Sequence, residues 1–228
     1  MTETHASPFA ALPATAGIGL KAQHYRAALE HPDPGLWVEV HPENYMGDGG
    51  PRLAWLDAIR AERAVSLHGV GASLGGGERL DADHLSRLKR LVDRYAPHSV
   101  SEHATWAAQD GAFFADLLPI PRTREALDAL CANVQEMQDA IGRPILIENP
   151  SLYIPLKAEM DEPDFLTEVC QRTGCGLILD VNNVFVSARN AKFDPYDYLA
   201  KVDPNLGGEI HVAGHDEDPN IEGLLVDS

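Results

Sequence analysis

Cysteine is scarce in this 228-residue chain: only Cys131, Cys170 and Cys175 are present. The number is odd and no CxxC spacing occurs. A disulfide framework and a thiolate zinc site are both excluded, and the reading is three buried small residues in a reducing cytosol. Basic residues are also few. Eighteen Lys and Arg stand against 35 Asp and Glu, a formal charge of −17. That balance excludes a nucleic-acid surface, which needs basic patches. No apolar run approaches the roughly 18 residues that cross a bilayer. Residues 1–15 contain no Lys or Arg, so the basic start of a signal peptide is missing. They read as a disordered tail, with 16–228 as one domain in the cytoplasm. Phosphate-binding signatures are absent too. Gly69, Gly71 and Gly75 to Gly77 fit neither GxxxxGK[ST] nor GxGxxG, and read as a flexible loop near a site. There is no nucleophile elbow.

What is present is an alternation. Short apolar runs occur at Gly17–Leu20, Leu36–Val40, Ala64–Leu67, Ser99–Ser101, Pro144–Ile147, Gly176–Leu179 and Gly208–Val212. Such runs suit strands buried on both faces of a parallel sheet. Amphipathic stretches lie between them. Leu53, Leu56 and Ile59 follow Pro51. Asp81 caps a helix with Leu85, Leu88, Val92 and Tyr95. Thr123 caps one with Leu127, Leu130, Val134, Met137 and Ile141 that stops at Gly142. Phe165, Leu166 and Val169 mark another, ended near Gly174, and residues 196–202 form a short last one. Alternation of this kind predicts an α/β fold with a parallel sheet and right-handed crossovers.

The polar residues fall where the runs end. His41-Pro42-Glu43-Asn44 follows the second, His68 the third, Glu102-His103 the fourth and Glu148-Asn149 the fifth. Asp180-Val181-Asn182-Asn183 follows the sixth, and the seventh carries His211 and leads to His215. In a parallel barrel these ends converge on one mouth. A carboxylate entering a buried environment must be paired, protonated or bound to a cation. Lys and Arg are nearly absent at these ends, so a cation is the favoured partner. Imidazole and carboxylate without thiolate point to Fe, Mn or Zn, in more than one copy.

Several longer motifs resemble one family. They are Gly17-Ile18-Gly19-Leu20 with His24-Tyr25, Glu39-Val40-His41-Pro42-Glu43-Asn44-Tyr45 and Ser66-Leu67-His68-Gly69-Val70-Gly71. Ser101-Glu102-His103, Asp116-Leu117-Leu118-Pro119, Glu148-Asn149-Pro150-Ser151, Gly174-Cys175-Gly176, Leu179-Asp180-Val181-Asn182-Asn183 and Ala213-Gly214-His215 continue the match. The family is the multinuclear non-haem iron-dependent oxidases that includes the methanobactin-biosynthesis oxidase. The resemblance implies an α/β fold of the triosephosphate-isomerase (β/α)8 barrel type holding two or three iron ions. It implies dioxygen as co-substrate, oxidation of a cysteine in a ribosomally made precursor peptide, and a partner protein that binds the peptide leader.

Carried onto this chain, the resemblance implies His68, His103, Glu148, Asp180, His211 and Asp227 as iron ligands, with Asn183 and His215 in or beside the ligand set. Glu43, Asn44, Glu102, Asn149 and Asn182 are expected to orient ligands or touch substrate. The family continues beyond the Asp227 position with a histidine and then an eighth strand bearing a carboxylate ligand. This sequence ends at Ser228, so the expectation is a C-terminally incomplete barrel with its first and seventh strands as edges. Two rival readings stand beside the oxidase. One is a divalent-metal hydrolase or isomerase of the xylose isomerase or apurinic endonuclease kind. The other is a non-catalytic metal- or peptide-binding scaffold.

Overall fold

The computed structural model describes residues 15–227 apart from 32 and 34. The expected tail, residues 1–15, lies outside the described residues except for Thr15. Seven parallel strands form one sheet curled into a half-barrel. They are β1 (Gly17–Gly19), β2 (Trp37–Val40), β3 (Val65–Gly69), β4 (Val100–His103), β7 (Leu146–Glu148), β8 (Gly176–Asp180) and β9 (Gly207–His211), and they neighbour one another in chain order. Helices α1 (Tyr25–Glu30), α2 (Pro51–Glu62), α3 (Ala82–Tyr95), α4 (Arg124–Ile141) and α5 (Glu162–Thr173) connect successive strands, and α6 (Val181–Ala191) and α7 (Pro195–Lys201) lead from β8 to β9. Among the described residues β1 and β9 are the sheet's two edges, and a cavity of about 1000 Å³ lies between them.

The period of two along each strand divides this sheet chemically. Val38, Val40, Val65, Leu67, Val100 and Ile147 turn outward and pack on Leu56, Ile59, Leu88, Leu127, Leu130, Met137 and Phe165 of the helices. Each such fully buried side chain contributes about 1.5–3 kcal/mol. The alternate residues, among them Glu39, Ser66, His68, Ser101, His103, Glu148, Asp180, Glu209 and His211, turn toward the barrel axis. The parallel register sets their levels: Glu39 lies beside Ser66, His68 beside Ser101, His103 beside Glu148 and Asp180 beside His211.

The helix ends follow local chemistry. Asp81 accepts from Asp83 N and Thr123 Oγ1 from Ala126 N, so both expected caps form. Gly142 and Gly174 close α4 and α5 in the left-handed region at φ 75° and 72°, which only glycine adopts without strain.

Three features depart from the sequence reading. An antiparallel hairpin, β5 (Thr105–Gln109) with β6 (Ala112–Pro119), is inserted after β4, and its pairing shifts register between Trp106 and Ala108. The bulge re-aims the strand, and Ala115, Asp116 and Leu117 line the mouth. A second hairpin, β10 (His215–Glu217) with β11 (Leu225–Asp227), follows β9. The glycine-rich segment is pinned and packed. Asn133 Nδ2 on α4 donates to Leu74 O at 2.9 Å and Gly76 O at 3.1 Å, Gly75 N donates to Thr105 O at 2.7 Å, and Leu74 is fully buried. A Cβ at Gly75 would come 2.4 Å from Ile120 Cγ2, so close packing explains that glycine.

Candidate metal centre

Glu148 ends β7 with its side chain 2 % exposed, at the centre of three imidazoles. Oε2 lies 3.1 Å from His68 Nε2 and 3.4 Å from His103 Nε2, and Oε1 lies 3.3 Å from His211 Nδ1. Oε2 is buried without a hydrogen-bond partner. Two groupings of candidate ligand atoms meet here, His68 with His103 and Glu148, and Glu148 with Asp180 and His211. Within each grouping the atoms lie within 4.8 Å of one another. The mouth forms a cavity of about 520 Å³ whose lining includes these five residues, Asn183 and Asp227.

Two of the three imidazoles are aimed by their other nitrogen. His68 Nδ1 is 2.8 Å from Ser101 Oγ, and His103 Nδ1 is 3.1 Å from Gly69 O. A carbonyl only accepts, so His103 Nδ1 carries a proton and Nε2, which faces Glu148, is the nitrogen left for a metal. This is the tautomer a metal-binding histidine uses. His41 lines the same mouth and holds the end of β3 through Nδ1 to His68 O at 3.0 Å.

Asp180 is placed from two sides. Its Oδ1 caps α6 by accepting from Asn183 N at 2.7 Å. Its backbone is clamped by Asn149, whose Nδ2 donates to Asp180 O at 3.0 Å and whose Oδ1 accepts from Asp180 N at 2.9 Å. Asn183 Nδ2 donates to Asn149 O at 2.9 Å, while its Oδ1 accepts from Ser151 Oγ at 2.6 Å. Turning that amide over would set two oxygens against each other, so its nitrogen faces Glu148, 3.4 Å from Oε1.

The electrostatics follow from burial and crowding. Burial alone would raise the Glu148 pKa, but His103, His211 and His68 outweigh it and hold the carboxyl well below its usual range. Burial lowers the His103 pKa, yet Glu148 and Glu102 bring it up to about 9. Asp180 is pushed up to about 6 by burial, with Glu148 and Asp227 adding repulsion. Among the described residues no Lys or Arg pairs with Glu39, Glu148, Asp180 or Glu209.

The remaining expected residues lie at one remove. Glu102 accepts from Ala72 N at 2.9 Å and His103 N at 2.9 Å, fixing the loop after β3. A Cβ at Gly69 would sit 2.6 Å from its Oε2. Glu43 accepts from Val70 N at 3.0 Å and lies 3.9 Å from His84 Nε2. Burial and the nearby Glu102 charge raise its pKa. Asn44 is exposed and accepts from Arg52. Asn182 donates to Gly214 O and Asp227 Oδ1, each at 2.7 Å, and His215 Nδ1 donates to its Oδ1 at 2.9 Å. The His215 ring rests against Phe185, outside both groupings. Two interior residues escaped the sequence reading: Glu39 and Glu209, at 3.3 and 3.4 Å from His211 Nε2. Their signal was a charge inside an apolar run, two positions before a histidine.

A half-barrel with a buried imidazole–carboxylate cluster at its strand ends defines a class, and solved structures share the architecture. D-psicose 3-epimerase crystallised with D-fructose matches at TM-score 0.58 and 13% identity, over 87% of this chain and 73% of that one. Endonuclease IV from Thermus thermophilus matches at 0.51 and 14%, over 85% and 72%. The IolI protein, solved with a zinc atom, matches at 0.55 and 12%, over 90% and 74%. These likenesses show the fold alone, a barrel of the triosephosphate-isomerase type.

The family is narrower. Residues 15–228 match the RiPP precursor modification enzymes MbnB/TglH/ChrH, where RiPP denotes a ribosomally synthesised and post-translationally modified peptide, and the chain belongs to that family. A UPF0276 protein of Caulobacter vibrioides NA1000 is 58% identical over 215 residues, 94% of this chain and 77% of its own. A UPF0276 protein of Bordetella pertussis is 48% identical over 224 residues, 97% and 78% respectively.

Proposed function

We propose that this chain is an iron-dependent oxidase that uses dioxygen to modify a cysteine of a ribosomally made precursor peptide. It works in the cytoplasm with a partner that binds the peptide leader. The supporting observation is the set of spacings around Glu148. Donor atoms bound about 2.1 Å from one ion lie ~3.0–3.4 Å apart in octahedral or tetrahedral geometry. The imidazole–carboxylate separations of 3.1, 3.3 and 3.4 Å fall in that range, and Glu148 Oε2 is buried without a hydrogen bond. The donor set therefore fits a hard or borderline metal.

His68, His103, Glu148, Asp180 and His211 would hold two or three iron ions, with Asp227 at the open side. Bound there, iron would supply the redox chemistry with dioxygen and bind a thiolate. The chain's own residues do the rest. Asn149 and Asn183 fix Asp180 and Glu148. Ser101 and Gly69 O fix the two imidazoles. Asn182 anchors Gly214, His215 and Asp227 at the rim. The cavity, lined also by Asp116 and Tyr153, admits an extended peptide with its cysteine turned inward.

The test is to load the protein with ferrous ion, add a precursor peptide encoded beside it with its leader-binding partner, and expose the mixture to air. A cysteine-dependent mass change is expected. An unchanged peptide with iron loaded would contradict the reading. Turnover of a sugar with zinc or manganese, without oxygen uptake, would favour the isomerase class that shares the fold.

A further inference from the structure

The β5–β6 hairpin has one covered flank and one bare flank. Asp110 and Gly111 form its turn at φ 51° and 73°, the left-handed pair of a two-residue hairpin. Gln109 and Ala112 pair across the turn, and Ala108 pairs with Phe113 next along. The residues flanking such a turn are hydrogen-bonded to each other, so the backbone groups of Ala108 and Phe113 point away from the partner strand. On the β5 flank they are met. Ser73 Oγ accepts from Ala107 N at 2.9 Å and from Ala108 N at 3.1 Å, and Thr105 O accepts from Gly75 N at 2.7 Å. On the β6 flank no further strand follows among the described residues.

That flank carries none of the usual protection. Residues 112–118 include no Lys, Arg or Pro, the residues that commonly blunt an edge. Their one charge, Asp116, turns back onto Leu117 N at 2.8 Å. Phe113 and Phe114 are 64 % and 42 % exposed. The hairpin is nonetheless braced. Phe114 meets Trp106 edge-on with ring centroids 5.6 Å apart, and Trp106 Nε1 donates to Pro119 O at 3.1 Å. β4, which leads into the hairpin, is the middle strand of the seven, so this bare flank stands away from both edges of the main sheet.

The flank runs into the mouth. Ala115, Asp116 and Leu117 all line the cavity that holds Glu148. Successive residues of a strand point to opposite faces, so a cavity that meets three in a row meets the strand edge-on, along its backbone. The register shift leaves residues 114–117 opposite Ala107 alone, which frees further backbone groups at that level.

We propose that β6 is the docking edge for the substrate: an extended segment of the precursor peptide adds to it as a third strand and leads the cysteine into the cavity. The proposal rests on the reading of the chain as a peptide-modifying oxidase. Strand addition takes its affinity from main-chain hydrogen bonds and its selectivity from alternate side chains, so the edge accepts an extended segment with an apolar residue against Phe113. Charge narrows the occupant. The cavity lining includes Asp116, Glu148, Asp180 and Asp227 and, among the described residues, no Lys or Arg. A neutral or basic segment fits it and an acidic one does not. A second copy of this chain, at a formal −17, would bring like charge to the same edge.

The test follows backbone amide exchange in the iron-loaded full chain with its leader-binding partner, before and after the precursor peptide encoded beside it is added. It is paired with turnover of peptides N-methylated at single positions beside the cysteine. Exchange at Phe113 and Ala115 is expected to slow by at least about tenfold with the peptide, and methylation at alternate positions to raise KM by about tenfold, the loss of roughly one hydrogen bond, while the positions between have little effect. A peptide that is converted with β6 exchange unchanged, or with no alternation among the methylated forms, overturns the inference and leaves the oxidase reading standing. Protection of β6 already present before the peptide is added assigns the edge to the partner protein or to a second copy and overturns it as well. Protection on adding the peptide without conversion supports the docking edge and contradicts the oxidase reading. A peptide that neither protects β6 nor is converted removes both.

Discussion

Asn149 makes two hydrogen bonds to the backbone of Asp180, continuing the β7–β8 ladder with a side chain. Asn149→Ala leaves a buried N–H and C=O unmet, at a cost of about 1–3 kcal/mol. It also frees the carboxylate that caps α6. We expect the variant to fold with a lowered melting temperature and to bind metal about 10–100-fold more weakly, as read by calorimetric titration. Wild-type affinity in this variant would show that Asn149 does not position the site. At this scale the sequence was informative in one direction. His68, His103, Glu148 and Asp180 follow apolar runs, and the fold brings them together. Glu39 and Glu209 sit inside such runs, where a charge is masked by its neighbours. Only the strand period, which puts residues i and i+2 on one face, links them to His41 and His211.

The elements differ in how openly they were written. α4 carries an N-cap, a clear apolar stripe and a glycine stop, and it forms from Arg124 to Ile141. Leu130 on that stripe is fully buried. Leu130→Ala is expected to destabilise the fold by about 2–5 kcal/mol, measured by denaturant unfolding; a change under about 1 kcal/mol would mean that this helix is not a core layer. The β5–β6 hairpin was not legible. Its strands lack strict alternation, the bulge breaks the pairing pattern, and β6 is largely exposed. The glycine segment misled for a related reason. Glycine signals freedom locally, while the restraint comes from Asn133, more than fifty residues away in sequence. Asn133→Leu would leave the carbonyls of Leu74 and Gly76 unpaired. Amide exchange at Gly75 and Gly76 is then expected to accelerate by at least about tenfold, the equivalent of ~1.4 kcal/mol; unchanged protection would show that packing alone holds the segment.

At the scale of the molecule, alternating apolar runs and amphipathic stretches were enough to specify a parallel sheet with its strand ends on one side. Each run is short and buried on both faces, and each stretch needs a sheet to cover. The levels of the side chains were not accessible in the same way. They depend on how far each strand is staggered against the next, which no single run records. That stagger sets His103 beside Glu148 and Asp180 beside His211, and so gathers around one axis charged residues spread between positions 39 and 211.

Glu148 stands at the centre of the metal reading, and its role can be measured directly. The full chain is titrated anaerobically with ferrous ion, followed by calorimetry, for wild type and Glu148→Gln. At least two iron equivalents are expected in wild type, with loss of one or more and an affinity reduced by at least about tenfold in the variant. Equal binding by the two proteins, or none by wild type, would contradict a metal centre organised by Glu148.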